Sequence, residues 1–128
     1  MNDLHDLELM VKSQTPIIVI ESHEEKRVVA LFRELGARLG LPVSKWTVTA
    51  GLQRLERGFL PQSFNTSPGD VLRHIKSSDM RGIYLLLDFH PYLEDPLHTR
   101  LVREIARLRD TDGLGVSLVF LNAIGVFD

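Results

Sequence analysis

Asp88 closes an apolar run, "GIYLLLD", and opens a loop bounded by prolines, "FHPYLEDP". A carboxylate at the mouth of a buried strand is one way to hold Mg²⁺ against a bound phosphate. Such an aspartate needs a phosphate loop to serve. That loop requires glycines so that successive backbone N–H groups can wrap an anion, a lysine for its charge, and a Ser or Thr for the metal.

The place for it is the turn between the first strand and its helix. This chain has "ESHEEKRVV" there, with Glu21, Ser22, His23, Glu24, Glu25 and Lys26 in the phosphate-loop position, and no glycine precedes Gly36. The pattern G-x-x-x-x-G-K-[ST] is absent throughout. Ser22 with Glu25 three residues on reads as a capping box, which places Glu24 and Glu25 in the first helical turn. Their carboxylates then occupy the positive dipole end where a phosphate would lie. Asp88 is therefore expected to cap or turn the chain. The position after it, where a hydrolytic site of this type carries a glutamate to orient water, is Phe89, which cannot act as a base. His90, Glu94, Asp95 and His98 make a loose cluster whose spacing matches no defined metal-ligand pattern, so a solvated polar loop is expected and no metal. No cysteine exists, and no Ser-His-Asp order supports acyl transfer.

The elements that position these residues follow from periodicity. Leu4, Leu7, Met10 and Val11 recur at helical spacing, and Pro16 ends that helix. "PIIVIE" is a continuous β-branched run, a strand ending near Glu21. Val28, Leu31, Phe32, Leu35 and Leu39 form the stripe of a second helix, which Gly40 stops. "PVSKWTVT" reads as a second strand whose polar admixture suggests a sheet edge. Residues 50–66 have no sustained period and read as an excursion with one helical turn over Leu52 to Glu56. Ser67, Pro68 and Asp70 start a helix through Val71, Leu72 and Ile75. "GIYLLLD" is the third strand. Pro96 begins a helix with Leu97, Leu101, Val102, Ile105 and Leu108 inward, "DTDG" turns the chain, and "VSLVFLN" is the fourth strand.

Alternating strands and helices mean right-handed βαβ units. The fold class is α/β: three αβα layers on a mostly parallel four-stranded sheet, with an N-terminal helix. All 128 residues are expected to form one domain. Ligands in such sheets lie at the carboxyl ends of the strands, so Glu21, Ser22, Thr47, Thr49, Asp88, His90 and Asn122 are the candidates.

A net charge of −2 lacks the electrostatic footprint of a duplex nucleic acid or anionic membrane partner. No apolar run reaches transmembrane length. The acidic N-terminus has the wrong chemistry for a cleaved secretory signal, so a cytoplasmic setting is expected.

The stretches "TPIIVIESHEEKR", "WTVTAGLQRL", "SPGDVLRHI", "GIYLLLDFHPYLEDP" and "RLVREIARL" together resemble the N-terminal part of bacterial AAA+ ATPases related to the open-reading-frame ATPases of cyanobacteria and plastids. The resemblance runs from the first helix to about Leu108. It implies a degenerate P-loop-NTPase core with strand order 2-3-4-1, preceding an AAA+ module that carries the phosphate loop, ATP and Mg²⁺. It makes Asp88 a Walker B remnant with His90 beside it, and puts Asn122 at the sensor position. The chain ends at Asp128, before a fifth strand or an AAA+ module.

The first functional expectation is thus a non-catalytic regulatory or interaction domain without a cofactor of its own. Its partner would be the AAA+ module or another copy, met through an exposed edge of the first strand. A second is a phosphotransfer receiver with Asp88 as acceptor, which would place strand one between strands two and three. A third is loose nucleotide binding without hydrolysis, lined by Thr47, Thr49 and Asn122.

Overall fold

The structure, a computed structural model, describes residues 3–13, 16–55, 66–78, 82–107 and 116–123. Its elements are α1 (Asp3–Lys12), β1 (Ile17–Ser22), α2 (Glu25–Leu39), β2 (Val43–Thr47), β3 (Gly51–Arg54), α3 (Pro68–Ser77), β4 (Gly82–Leu87), a 3₁₀ helix (His90–Glu94), α4 (Pro96–Arg107) and β5 (Val116–Ala123). The sheet order is β1-β5-β4-β2-β3. β1, β5, β4 and β2 run parallel, and β3 lies antiparallel outside β2. The four strands read from the sequence therefore take the expected 2-3-4-1 order, with β1 paired to β5. The receiver topology is excluded, because β1 is at an edge and not between β2 and β4.

The sheet has five strands where the sequence suggested four, and β2 is interior where it suggested an edge. The cause is a tight hairpin. Thr47 Oγ1 accepts the Ala50 N–H at 3.0 Å, and Gly51 takes a φ of 76°, a left-handed conformation open to glycine. Leu52–Arg54 is consequently strand and not the helical turn expected there, and the Leu55 N–H still bonds Val43 O at 2.9 Å. Residues 56–65, Leu108 and the "DTDG" turn lie outside the described residues.

Two apolar layers sandwich the sheet. Phe32, Leu35 and Val28 of α2, with Leu4 and Val11 of α1, pack on Ile18, Ile83, Leu85, Leu87, Val119 and Leu121. Val71, Leu72 and Ile75 of α3, with Leu101, Val102 and Ile105 of α4, pack on Trp46, Leu86, Leu118 and Phe120. Burying a side chain of this size stabilises the fold by about 1.5–3 kcal/mol, so these stripes dominate. Met10 and Leu97, expected inward, are 42 % and 45 % exposed.

Charge pairs register the helices. Glu8 of α1 meets Lys12 at 2.8 Å and Arg38 of α2 at 3.3 Å. The hydrogen bond from Lys12 is the main reason its carboxyl titrates below the usual range. Glu104 of α4 accepts from Lys76 of α3 and from Arg100, each at 2.8 Å, and these bonds lower it likewise. Gly36 lets α2 approach β2: a Cβ there would lie 2.8 Å from Leu41 O and overlap the Val43 side chain. Among the described residues, no helix is long and apolar enough to cross a membrane.

Candidate functional site

The carboxyl ends of the parallel strands bring Ser22, Ala123, Leu87 and Thr47 to one rim, in the order β1, β5, β4, β2. Asp88 stands at its centre. Its N–H donates to Leu121 O at 2.9 Å, and its Oδ1 accepts the Ala123 N–H at 3.0 Å. It takes a φ of 52°, an uncommon left-handed conformation that Asp and Asn adopt more readily than other side chains. The chain thus turns sharply as it leaves β4, and the carboxylate fastens that turn to β5.

The turn sends Phe89 inward. Phe89 is fully buried, edge-on to Trp46 (5.3 Å between ring centroids), Tyr92 (5.6 Å) and His98 (6.2 Å), and tilted against Phe120 (5.8 Å). The position directly after Asp88 is thus a core position. His90 returns to the rim, its Nδ1 3.2 Å from Asn122 Oδ1. With that amide orientation, the imidazole nitrogen carries the hydrogen. Asn122 is in register with Glu21 of β1. Glu21, Asn122, His90 and Asp88 are therefore neighbours on three adjacent strand ends, as their strand positions implied.

Thr47 and Thr49 do not join them. Their hydroxyls are 3.2 Å apart in the β2–β3 turn, on the far side of β4. The "HPYLEDP" segment is likewise engaged in its own folding. His98 Nδ1 donates to Tyr92 O at 2.6 Å, Thr99 Oγ1 donates to Leu93 O at 2.8 Å, and Asp95 Oδ1 accepts the Leu97 N–H at 2.9 Å at the start of α4. His98 and Thr99 are positioning residues the sequence did not disclose, because each reaches a backbone oxygen six residues away. No group of three or more His, Asp or Glu among the described residues is placed to hold a metal ion.

The turn after β1 differs from the expected capping box. Glu24, not Ser22, is the N-cap of α2, and it makes no side-chain cap bond. Ser22 Oγ accepts the Glu24 N–H at 2.9 Å, and the Glu24 carboxylate pairs with Arg27 at 3.2 Å. Glu25 opens the helix and Lys26 is exposed. Three carboxylates, of Glu21, Glu24 and Glu25, thus stand around this helix start, with Lys26 and the Glu24-paired Arg27 beside them, and none of them makes the side-chain cap bond that was expected.

A family model described as the N-terminal domain of SpoVK-like AAA ATPases matches residues 3–124. The chain belongs to this family. The AAA ATPase N-terminal domain suggested by "GIYLLLDFHPYLEDP" and its companion stretches is thereby established. In this AAA ATPase N-terminal domain the acidic turn follows β1 and the Asp88 latch follows β4. No curated protein and no solved structure matches the chain.

Proposed function

We propose that this AAA ATPase N-terminal domain is a non-catalytic, cytoplasmic interaction domain that neither holds ATP and Mg²⁺ nor hydrolyses ATP. It works by contact with an ATPase module or with another copy of itself, not with nucleic acid or membrane. One observation carries this reading. The turn after β1 is closed by Ser22 Oγ on the Glu24 N–H and carries three glutamates, so a nucleotide phosphate meets negative charge where it needs donors. The latch between Asp88 and Ala123 supports it, since the only strand-end aspartate on β4 is used to fold its own loop. "LLDFHPYLEDP" further supports kinship with the open-reading-frame ATPases of cyanobacteria and plastids.

Isothermal titration of the chain with ATP and Mg²⁺ tests the reading. No saturable heat is expected. Saturable, Mg²⁺-dependent binding at micromolar concentration would overturn it and restore Asp88 and Asn122 as ligands.

A further inference from the structure

The α-helices among the described residues are not held equally. α2 seats Phe32 and Leu35 fully out of water, α3 seats Val71, Leu72 and Ile75, and α4 seats Ile105. α1 has five apolar side chains and seats none so deeply. Leu4 and Val11 keep 7 % and 8 % exposure, Leu7 is half-buried, and Leu9 and Met10 are exposed. Apolar area removed from water is the main term that binds a helix to its sheet, so α1 is the most weakly bound. A helix of ten residues does not hold its shape alone in water. α1 is therefore helical only while it is docked, and undocking it and unfolding it are one event.

Glu8 joins α1 to its neighbour by charge. Its side chain is 15 % exposed and stands between Lys12, one turn on in α1, and Arg38 in the last turn of α2. Its two oxygens are served differently. Oε2 accepts a hydrogen bond from Lys12 Nζ at 2.8 Å. Oε1 is buried without a hydrogen bond, although Arg38 Nη2 stands 3.3 Å from it as an ion pair. A buried oxygen in that condition costs the docked helix free energy that opening would return. The charge acts the other way. The Lys12 hydrogen bond above all holds the Glu8 carboxyl below its usual range, so the anion favours the docked helix. Shallow burial, one unsatisfied oxygen and one favourable charge leave docked and undocked α1 closer in free energy than the folded and unfolded sheet.

From these contacts we infer that α1 is a clasp: it leaves the α2 layer as a unit while the sheet and the other helices stay folded, and the Glu8–Arg38 pair sets how far it is closed. Local opening of this kind belongs to elements that bury few apolar side chains. The domain then has two states. In the closed one Leu4 and Val11 complete the layer of Ile18, Val28, Phe32 and Leu35. In the open one that layer meets water on the side where α1 lay. The α3 and α4 layer on the other face of the sheet is the same in both, because it shares no side chain with α1. This opening is independent of the reading of the chain as an interaction domain, and neither stands on the other.

The chain has no cysteine, so one introduced thiol reads one site. Val11→Cys in α1 and Val71→Cys in α3 make the same small substitution at buried positions. Under native conditions a thiol reagent should label Val11→Cys at least ~100-fold faster than Val71→Cys, whose labelling waits for the domain to unfold. Hydrogen exchange of the unsubstituted chain guards against a helix loosened by the cysteine itself. Its amides from Leu7 to Lys12 should share one protection, at least ~100-fold below that of β4. Glu8→Gln should lower the α1 protection by about threefold to fivefold. Glu104→Gln weakens the far layer in the closed and open states alike, so it should lower the protection of β4 and leave that of α1 unchanged. Equal labelling of the two thiols, a protection graded along α1, a fall of α1 together with β4 in Glu104→Gln, or no response of α1 to Glu8→Gln each overturns the inference.

Discussion

Replacing Asp88 separates a latch from a metal ligand, because three substitutions remove different parts of what it does. Its Oδ1 accepts one exposed backbone bond from Ala123 at 3.0 Å, worth about 1 kcal/mol at the surface. Its φ of 52° costs an ordinary L-residue about 1 kcal/mol more than it costs Asp, Asn or Gly. Asp88→Ala loses the acceptor and meets the backbone penalty, so stability should fall by about 2 kcal/mol. Asp88→Asn keeps an oxygen and tolerates the conformation, so its loss should stay within about 0.5 kcal/mol. Asp88→Gly loses the bond but relaxes the backbone and should fall between them. For a domain of this size about 2 kcal/mol is a Tm difference of roughly 6–10 °C. Trp46 is the sole tryptophan and is fully buried, so its fluorescence during urea unfolding reads each variant without a label. The reasoning is refuted if Ala and Asn are equally stable. It is also refuted if Mg²⁺ at ~10 mM raises the wild-type Tm and leaves that of Asp88→Asn unchanged.

Further outcomes follow from other contacts. Gly36→Ala should cost about 1–3 kcal/mol, since the new methyl meets Leu41 O and Val43, and urea midpoints will measure it. Phe89→Glu places a carboxylate at a fully buried aromatic position, so loss of near-UV circular dichroism is expected with no gain of ATP hydrolysis in a phosphate-release assay. Glu104 titrates below its ordinary range because Lys76 and Arg100 hold its anion. Its contribution is therefore complete above the unfolded value near pH 4.3 and is lost as pH falls through the lower folded value. Glu104→Gln should flatten acid unfolding below about pH 4.5 and leave the profile near neutrality parallel to that of the wild type.

The parallel core was legible because its signals are local. "IIVIE", the apolar continuity of "IYLLL" at Ile83 to Leu87, and the stripe from Val28 to Leu39 each declare an element within a few residues, and the alternation of types then fixes the order of the sheet. β3 was hidden because its signal is one glycine: Gly51, four residues past Thr47, makes a hairpin, but Gly58 and Pro61 nearby suggest only loop. At the rim, the company of Asp88, His90 and Asn122 followed from strand ends alone. The bond from Asp88 to Ala123 spans the third and last sequence strands, and the burial of Phe89 depends on Trp46 and Phe120. No window on the sequence contains those partners together. Met10 and Leu97 failed as inward residues because helical spacing shows a face without showing how far neighbouring elements extend over it.

The pairing of β1 with β5 carries a consequence for how the chain comes together. Ile17 lies in register with Leu118, so β1 has no strand beside it until about a hundred residues later in the chain. Closing a loop of that length costs roughly 4 kcal/mol of chain entropy, in contrast to the β2–β3 hairpin, which closes across three residues. At ribosomal speeds of about 5–20 residues per second, β1 waits for seconds with both sides unpaired. β1 is seated beside β5 only after Val116–Ala123 has been made, and any interruption of synthesis before Val116 leaves it without that neighbour.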